Sequence, residues 1–370
     1  MFNKIFLFLF VTLISCNELT TGSTVKIYKE GDNLDVTIYS SEQPKKLSDY
    51  NQFASMVVGD GIAIIKPDTV PKLIKIIHPY PDLIYNLARI DKNGYIWLVA
   101  SDYDLSINDY IYVIDPHSET IYKSIKVPSD LRGPDAIAFG EDKAYFVGIG
   151  SGRSIGLGSI DRTNFSVENL AKIDSIGSAI PPGLELFNGR LYYFGIWTSQ
   201  TDDRKILQFD TEKNQLVKTA PYSGHYTFDD NYLYTNGYFI IGDTTLPKLY
   251  KININELSVE QEISFGDKSY ITCNEEFIYS ANRRNPIVDV YNKLDLKKIK
   301  TIDFSNQIKI QGNYFNSNFG FISKDLLMVN QSSFYNVRTN EFMDSVFPLS
   351  YPIAESLVLA EGLELKSFSE

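Results

Sequence analysis

The side chains that could do chemistry are scattered along this chain. His78, His117 and His225 are its three histidines, and none has a second at metal-ligand spacing, so no His-rich zinc or copper site is expected. Cysteine is as sparse, with only Cys16 and Cys273. The setting Tyr270-Ile271-Thr272-Cys273 is that of a small packed thiol in a strand, not of a nucleophile. Carboxylates form a richer set. Asp135, Glu185, Asp229 and Asp230 flank apolar runs, and oxygens drawn from several such places could hold Ca²⁺, the chemistry of a metal-dependent hydrolase or lyase. A second set suggests recognition instead. Trp197, Arg204, Arg283 and Arg284, with Asp102, Asp104, Arg153, Asp202 and Asp203, fall in polar segments between strand-like runs, as do Arg132, Asp135, His225 and Tyr226. Arginine and carboxylate mixed with tryptophan suit a protein or glycan surface better than an anionic polymer. The glycine-rich run Gly148 to Gly156 is no phosphate cradle, because Ile155 to Ile160 continues as a strand and no helix follows.

The elements that must position these residues repeat. A hydrophobic run ends in a polar turn at Asp68, Asp115, Asp161, Asp210, Asn253, Asn292 and Asn336, a period of roughly forty to fifty residues with several β-rich segments in each. One period shows the order. Tyr95 to Ala100 is continuously apolar, as a strand buried on both faces should be. Tyr110 to Asp115 follows and is stopped by Pro116, and Thr120 to Val127 then alternates as an outer strand with one wet face. The reading is all-β: a β-propeller of seven four-stranded blades, with six or eight as the alternatives. Ala54 to Val58, Ile62 to Lys66 and Lys72 to Ile77 supply three strands of a first blade. The C-terminal Glu355 to Ala360 or Leu363 to Phe368 is expected to complete it, pairing edges that would otherwise be open. Val25 to Lys29 and Leu34 to Ser40 are also strand-like and could add to the closing blade.

The stretch Tyr110-Ile111-Tyr112-Val113-Ile114-Asp115, followed by Ile121 to Val127 and by Gly133-Pro134-Asp135-Ala136-Ile137-Ala138, resembles the YVTN-type, quinoprotein-like propeller repeat. Lys205 to Asp210 and Pro182 to Leu186 echo it, and the resemblance spans about Ala54 to Phe347. It implies a seven-bladed, often extracytoplasmic scaffold and no shared catalytic residue.

At the N-terminus, Lys4 precedes the apolar run Ile5 to Ile14, too short to span a bilayer, which needs about twenty residues. It reads as a signal-peptide core. The segment Leu13-Ile14-Ser15-Cys16 resembles a bacterial lipobox, which implies cleavage before Cys16 and diacylglycerol on its thiol. The expected organisation is therefore a lipoprotein signal peptide over 1–15, a lipidated cysteine and flexible tether over 16–23, and one propeller over 24–370.

Lipidation would leave Cys273 as the one remaining thiol, so no disulfide framework is expected. The formal charge of −11 opposes contact with nucleic acid or anionic lipid. The 25 tyrosines and 23 phenylalanines suit blade-on-blade packing. The leading functional expectation is a monomeric, lipid-anchored module of the bacterial envelope, at the outer membrane or cell surface, with the membrane reached through Cys16. It would present a loop face carrying Arg132, Asp135, Trp197, Arg204, His225, Arg283 and Arg284 to a protein, peptide or glycan. No cofactor, nucleic acid or catalytic residue is expected. The alternative is a lactonase-like propeller hydrolase or lyase with a calcium-binding carboxylate cluster in the central channel.

Overall fold

A computed structural model of the chain describes residues 25–30, 33–38, 52–58, 61–66, 70–77, 83–102, 110–115, 117–131, 133–149, 155–173, 177–197, 204–220, 225–229, 231–236, 248–266, 270–281, 285–308, 319–330, 333–343 and 364–367. The chain divides into two compact units, residues 1–50 and 51–370. In the first, β1 (Val25–Glu30) pairs antiparallel with β2 (Asn33–Ile38) as a two-stranded sheet of its own. These strands bond to each other and are not strands of the closing blade, a difference from the sequence reading.

The second unit holds seven four-stranded antiparallel sheets among the described residues, so the fold is a β-propeller. Blade 1 comprises β3 (Gln52–Val58), β4 (Gly61–Lys66), β5 (Lys72–Ile77) and, from the C-terminus, β30 (Glu364–Ser367). Blade 2 is β6 (Leu83–Ile90), β7 (Ile96–Asp102), β8 (Tyr110–Ile114) and β9 (Ile121–Lys126); blade 3 is β10 (Pro134–Phe139), β11 (Lys143–Ile149), β12 (Ile155–Asp161) and β13 (Val167–Ile173). Blade 4 is β14 (Gly177–Phe187), β15 (Arg190–Trp197), β16 (Arg204–Asp210) and β17 (Gln215–Ala220); blade 5 is β18 (Tyr226–Phe228), β19 (Tyr232–Asn236), β20 (Lys248–Asn253) and β21 (Ser258–Ser264). Blade 6 is β22 (Tyr270–Cys273), β23 (Phe277–Ala281), β24 (Ile287–Asn292) and β25 (Lys298–Asp303); blade 7 is β26 (Gly320–Ser323), β27 (Leu326–Asn330), β28 (Ser333–Asn336) and β29 (Glu341–Met343). Strand β30 pairs Ser367 with Gln52 and Glu364 with Ser55. The two ends of the propeller thus meet in one sheet, and each supplies the edge the other needs.

The core lies between blades. Between blades 2 and 3, Trp97, Val99, Ile111 and Val113 pack on Ile137, Ala144, Phe146 and Ile160. Between blades 3 and 4, Tyr145, Val147 and Leu157 meet Leu184, Tyr193 and Leu207. Second strands such as β7 are rich in apolar residues because both their faces are buried, as at Ile96, Trp97, Leu98 and Val99. Each fully buried large side chain there contributes about 1.5–3 kcal/mol. Close packing also fixes sequence at blade contacts. A Cβ on Gly183 would lie 1.8 Å from the hydroxyl oxygen of Tyr226 in the next blade.

Outer strands are blunted. Pairing jumps from Ile114↔Ile121 to Val113↔Lys123, from Phe209↔Leu216 to Gln208↔Lys218, and from Tyr291↔Lys298 to Val290↔Lys300. The extra residues of these bulges are Tyr122, Val217 and Ile299, which are 57%, 45% and 52% exposed. The bulge offsets the hazard of an apolar edge, because it breaks the ladder that an incoming strand would extend.

Candidate functional site

Strand order gives the propeller two unlike faces. Connections from first to second and from third to fourth strands share one face; those from second to third and from fourth to the next first strand share the other. The first set is short, as at 188–189, 211–214, 254–257 and 324–325; the second includes 103–109, 198–203, 237–247 and 304–319. We call these the turn face and the loop face.

The turn face is built by one recurring device. The periodic Asp or Asn ends the third strand, and its side chain accepts hydrogen bonds from backbone N–H groups two and three residues on. Asp161 Oδ1 accepts from Thr163 and Asn164 at 2.8 and 3.0 Å, Asp210 Oδ1 from Glu212 and Lys213, Asn253 Oδ1 from Asn255 and Glu256, and Asn336 Oδ1 from Arg338 and Thr339. This Asx turn is why only Asp and Asn occupy the position. Four residues later the chain enters left-handed conformation in six of these turns among the described residues: Glu119, Phe165, Asn214, Leu257, Leu296 and Asn340 have φ between 44° and 61°. Leu257 and Leu296 are buried, and Phe165 packs against the layer between blades 2 and 3. Where the side chain plugs a blade junction, its burial outweighs the ~1–2 kcal/mol cost of that backbone region.

Charged staples join these turns across blades. Asp91, in the first turn of blade 2, accepts from the backbone of Asn93 and Tyr95 and from Trp97 Nε1 at 3.0 Å. Arg162 of blade 3 brings Nη2 to 2.8 Å from its Oδ2, with both side chains over nine-tenths buried, while Nη1 donates to the carbonyls of Gly140 and Glu141. The contact is close without a well-aligned N–H···O bond, and Coulomb attraction needs no such alignment. Blades 5 and 6 repeat the arrangement. Asp229 accepts from the N–H groups of Asn231 and Tyr232 and from Tyr234 Oη, and Lys293 Nζ lies 3.0 Å from its Oδ2. Burial pushes the Asp229 carboxyl up, but the Asn231 N–H, Lys293 and the other donors outweigh it and hold it below the usual range. Burial and the facing Asp229 carboxylate together push the Tyr234 phenol well above its ordinary value, so it stays a donor.

Among the described residues, the carboxylates considered for calcium do not gather. Glu185, near the turn-face end of β14, takes a bidentate pair from Arg89 of β6, with Nη2–Oε1 at 2.6 Å and Nη1–Oε2 at 3.3 Å, and Arg89 Nη1 also donates to the Leu184 carbonyl. That pair links blades 2 and 4 past the first strand of blade 3. Asp229 is on the turn face, whereas Asp135 is the second residue of β10, at the loop-face end. Strand reversal separates them, and Asp230 lies outside the described residues. Among the described residues no three His, Cys, Asp or Glu side chains gather as a metal site.

The candidate recognition residues fall as follows. Asp135, Trp197 and Arg204 have described backbones and end strands rather than occupy loops: Trp197 closes β15, Arg204 opens β16, and their Cα atoms are register partners. Tyr226 opens β18 and stacks on Phe194 at 3.9 Å, so it is a packing residue between blades. His225 is half-buried, its ring 4.8 Å from that of Tyr270, and its carbonyl accepts from Asn236 N–H at 3.1 Å. Strand direction brings Asp135, Trp197, Arg204 and His225 to the same face. Arg132, Arg283, Arg284 and Cys16 lie outside the described residues. Cys273 is a packed thiol, bonded to the Phe228 carbonyl at 3.0 Å, and burial pushes its pKa up. The staples through Arg89, Arg162 and Lys293 carry no local sequence signal, because each partner lies in another blade.

No protein-family model matches the sequence, and no curated protein does. Solved structures do match. The Dos1 propeller covers 80% of this chain, with 87% of its own length matched, at 9% identity and a TM-score of 0.54. A nidogen/laminin complex covers 70% of this chain, with 95% of its own length matched, at 12% identity and a TM-score of 0.45. Likeness at such identity concerns architecture alone, and the match to the Dos1 propeller agrees with the β-propeller that the seven sheets form.

Proposed function

We propose that the chain is a lipid-anchored binding module of the bacterial envelope whose loop face holds a protein, peptide or glycan partner. The observation that carries the reading is the unlikeness of the two faces. On the turn face, short connections are closed by Asx turns, buried plugs and ion-pair staples, which spend its polar groups on folding. The loop face receives the long connections and the strand ends bearing Trp197, Arg204 and His225. Recognition residues concentrate on loops held by a rigid scaffold, and tryptophan and arginine dominate interface energetics through large contact area with directed polar groups. Diacylglycerol on Cys16 would tether the module, with Asn17 to Ser23 as spacer, at the outer membrane or cell surface. The test is affinity capture from envelope extracts with the full chain, beside a Cys16→Ala variant labelled with a fatty-acid analogue. One stoichiometric partner, and label lost in the variant, are expected. Equal labelling of the variant removes the anchor from the proposal, and absence of any stoichiometric partner removes the binding role.

A further inference from the structure

Two glycines, Gly156 and Gly158, lie in β12 facing the crossover from blade 2. Between β9 and β10 the chain makes a short 3-10 turn, Ser129–Leu131, on its way from blade 2 to blade 3. Leu131 donates its N–H to the Pro128 carbonyl at 2.9 Å and is wholly buried. It is seated against two glycines of β12. A Cβ on Gly156 would lie 2.1 Å from Leu131 Cδ2 and 3.2 Å from the Asp130 carbonyl oxygen. A Cβ on Gly158 would lie 2.9 Å from Leu131 Cδ1 and 2.5 Å from the Phe146 ring. Real Cβ atoms do not approach so closely, so this notch exists only because neither position has a side chain. A second tack holds the same turn, since Asn169 Nδ2 on β13 donates to the Asp130 carboxylate.

We infer that Leu131, Gly156 and Gly158 are positioning residues, which pin the blade 2–3 crossover so that the start of β10, where Asp135 stands, is held preformed at the loop-face end. Arg132 follows the pinned leucine directly, and Asp135 follows Pro134, the first residue of β10. A segment ordered before the partner arrives does not lose its conformational freedom on binding, so contacts made through it are stronger. The functional half of this inference rests on the loop-face reading; the pinning itself does not.

Limited trypsin digestion of the full chain tests the pinning, with the nick at the Arg132–Gly133 bond followed by mass spectrometry. Leu131→Ala and Gly156→Ala should be cut there at least tenfold faster than wild type. Gly320→Ala, whose new Cβ would meet nothing within 4 Å, should match wild type. Leu131→Met, which keeps the volume, should restore slow cutting. If Gly156→Ala fails to fold, the Leu131 pair still decides the question. Fast cutting of wild type at this bond, or no site-specific acceleration in Leu131→Ala while its melting temperature holds, overturns the inference. A pinned crossover in a protein that captures no partner would instead count against the loop-face reading alone.

Discussion

Replacing Arg162 by methionine should destabilise the propeller far more than removing an ordinary surface arginine. The side chains of Arg162 and Asp91 are 6% and 4% exposed and 2.8 Å apart. Removing one partner of a buried pair leaves an uncompensated charge and costs about 3–5 kcal/mol. Asp91 keeps three donors, the N–H groups of Asn93 and Tyr95 and the indole of Trp97, so the lower end applies, roughly 3 kcal/mol. For a domain of this size that is a fall on the order of 5–10 °C in Tm. The equivalent Lys293→Met should cost less, roughly 1–2 kcal/mol, because Asp229 is 26% exposed and water partly replaces the lost ammonium. Urea unfolding followed by tryptophan fluorescence reads both, and Trp97 itself is bonded to Asp91. An Arg162→Met variant within about 0.5 kcal/mol of wild type, the usual scatter of surface substitutions, would refute the claim that the turn face is held by charge staples. So would a larger loss at Lys293 than at Arg162.

Other expectations follow from the same geometry. Asn214→Gly, at an exposed left-handed position, should change stability by no more than about 0.5 kcal/mol, whereas Leu296→Gly should lose about 2 kcal/mol or more, since a buried leucine is worth more than relief of its backbone; thermal melts separate the two. The folded pKa of Asp229 is depressed, so its contribution is complete above the unfolded value of 3.8 and is lost as pH falls through the folded one. The stability gap between wild type and Asp229→Asn should therefore stay constant from pH 8 to about pH 5 and shrink below about pH 4, as acid-series denaturation would show. Deleting residues 353–370 removes β30 and bares the inner edge of β3, so light scattering should show association or calorimetry the loss of a cooperative melt; a monomeric truncation with the wild-type transition would place the closure elsewhere.

The periodic Asp and Asn were legible in sequence because an Asx turn is local: the residue, its N–H partners and the left-handed position lie within five positions. Strand type was legible for the same reason, as in Tyr95 to Ala100, where apolar continuity alone reports two buried faces. Blade closure needed a partner more than three hundred residues away, and sequence offered two C-terminal candidates, Glu355 to Ala360 and Leu363 to Phe368. The carboxylates misled because alternation of strand direction, not chain position, decides which face a residue reaches. Glu185 and Asp229 look like free ligands until Arg89 and Lys293 arrive from other blades. Gly156 and Gly158 read as strand residues, but nothing local to them shows the notch that the distant Leu131 fills.

Under the proposed function, partners meet the loop face and not the turn face. A photo-crosslinking residue placed at Trp197 samples the loop-face end of β15, and one at Leu294, which is 82% exposed, samples a turn-face tip. Irradiation in intact envelopes should give a discrete crosslinked species from position 197 and none from position 294. The reverse pattern, or crosslinks of equal yield from both, would contradict the account.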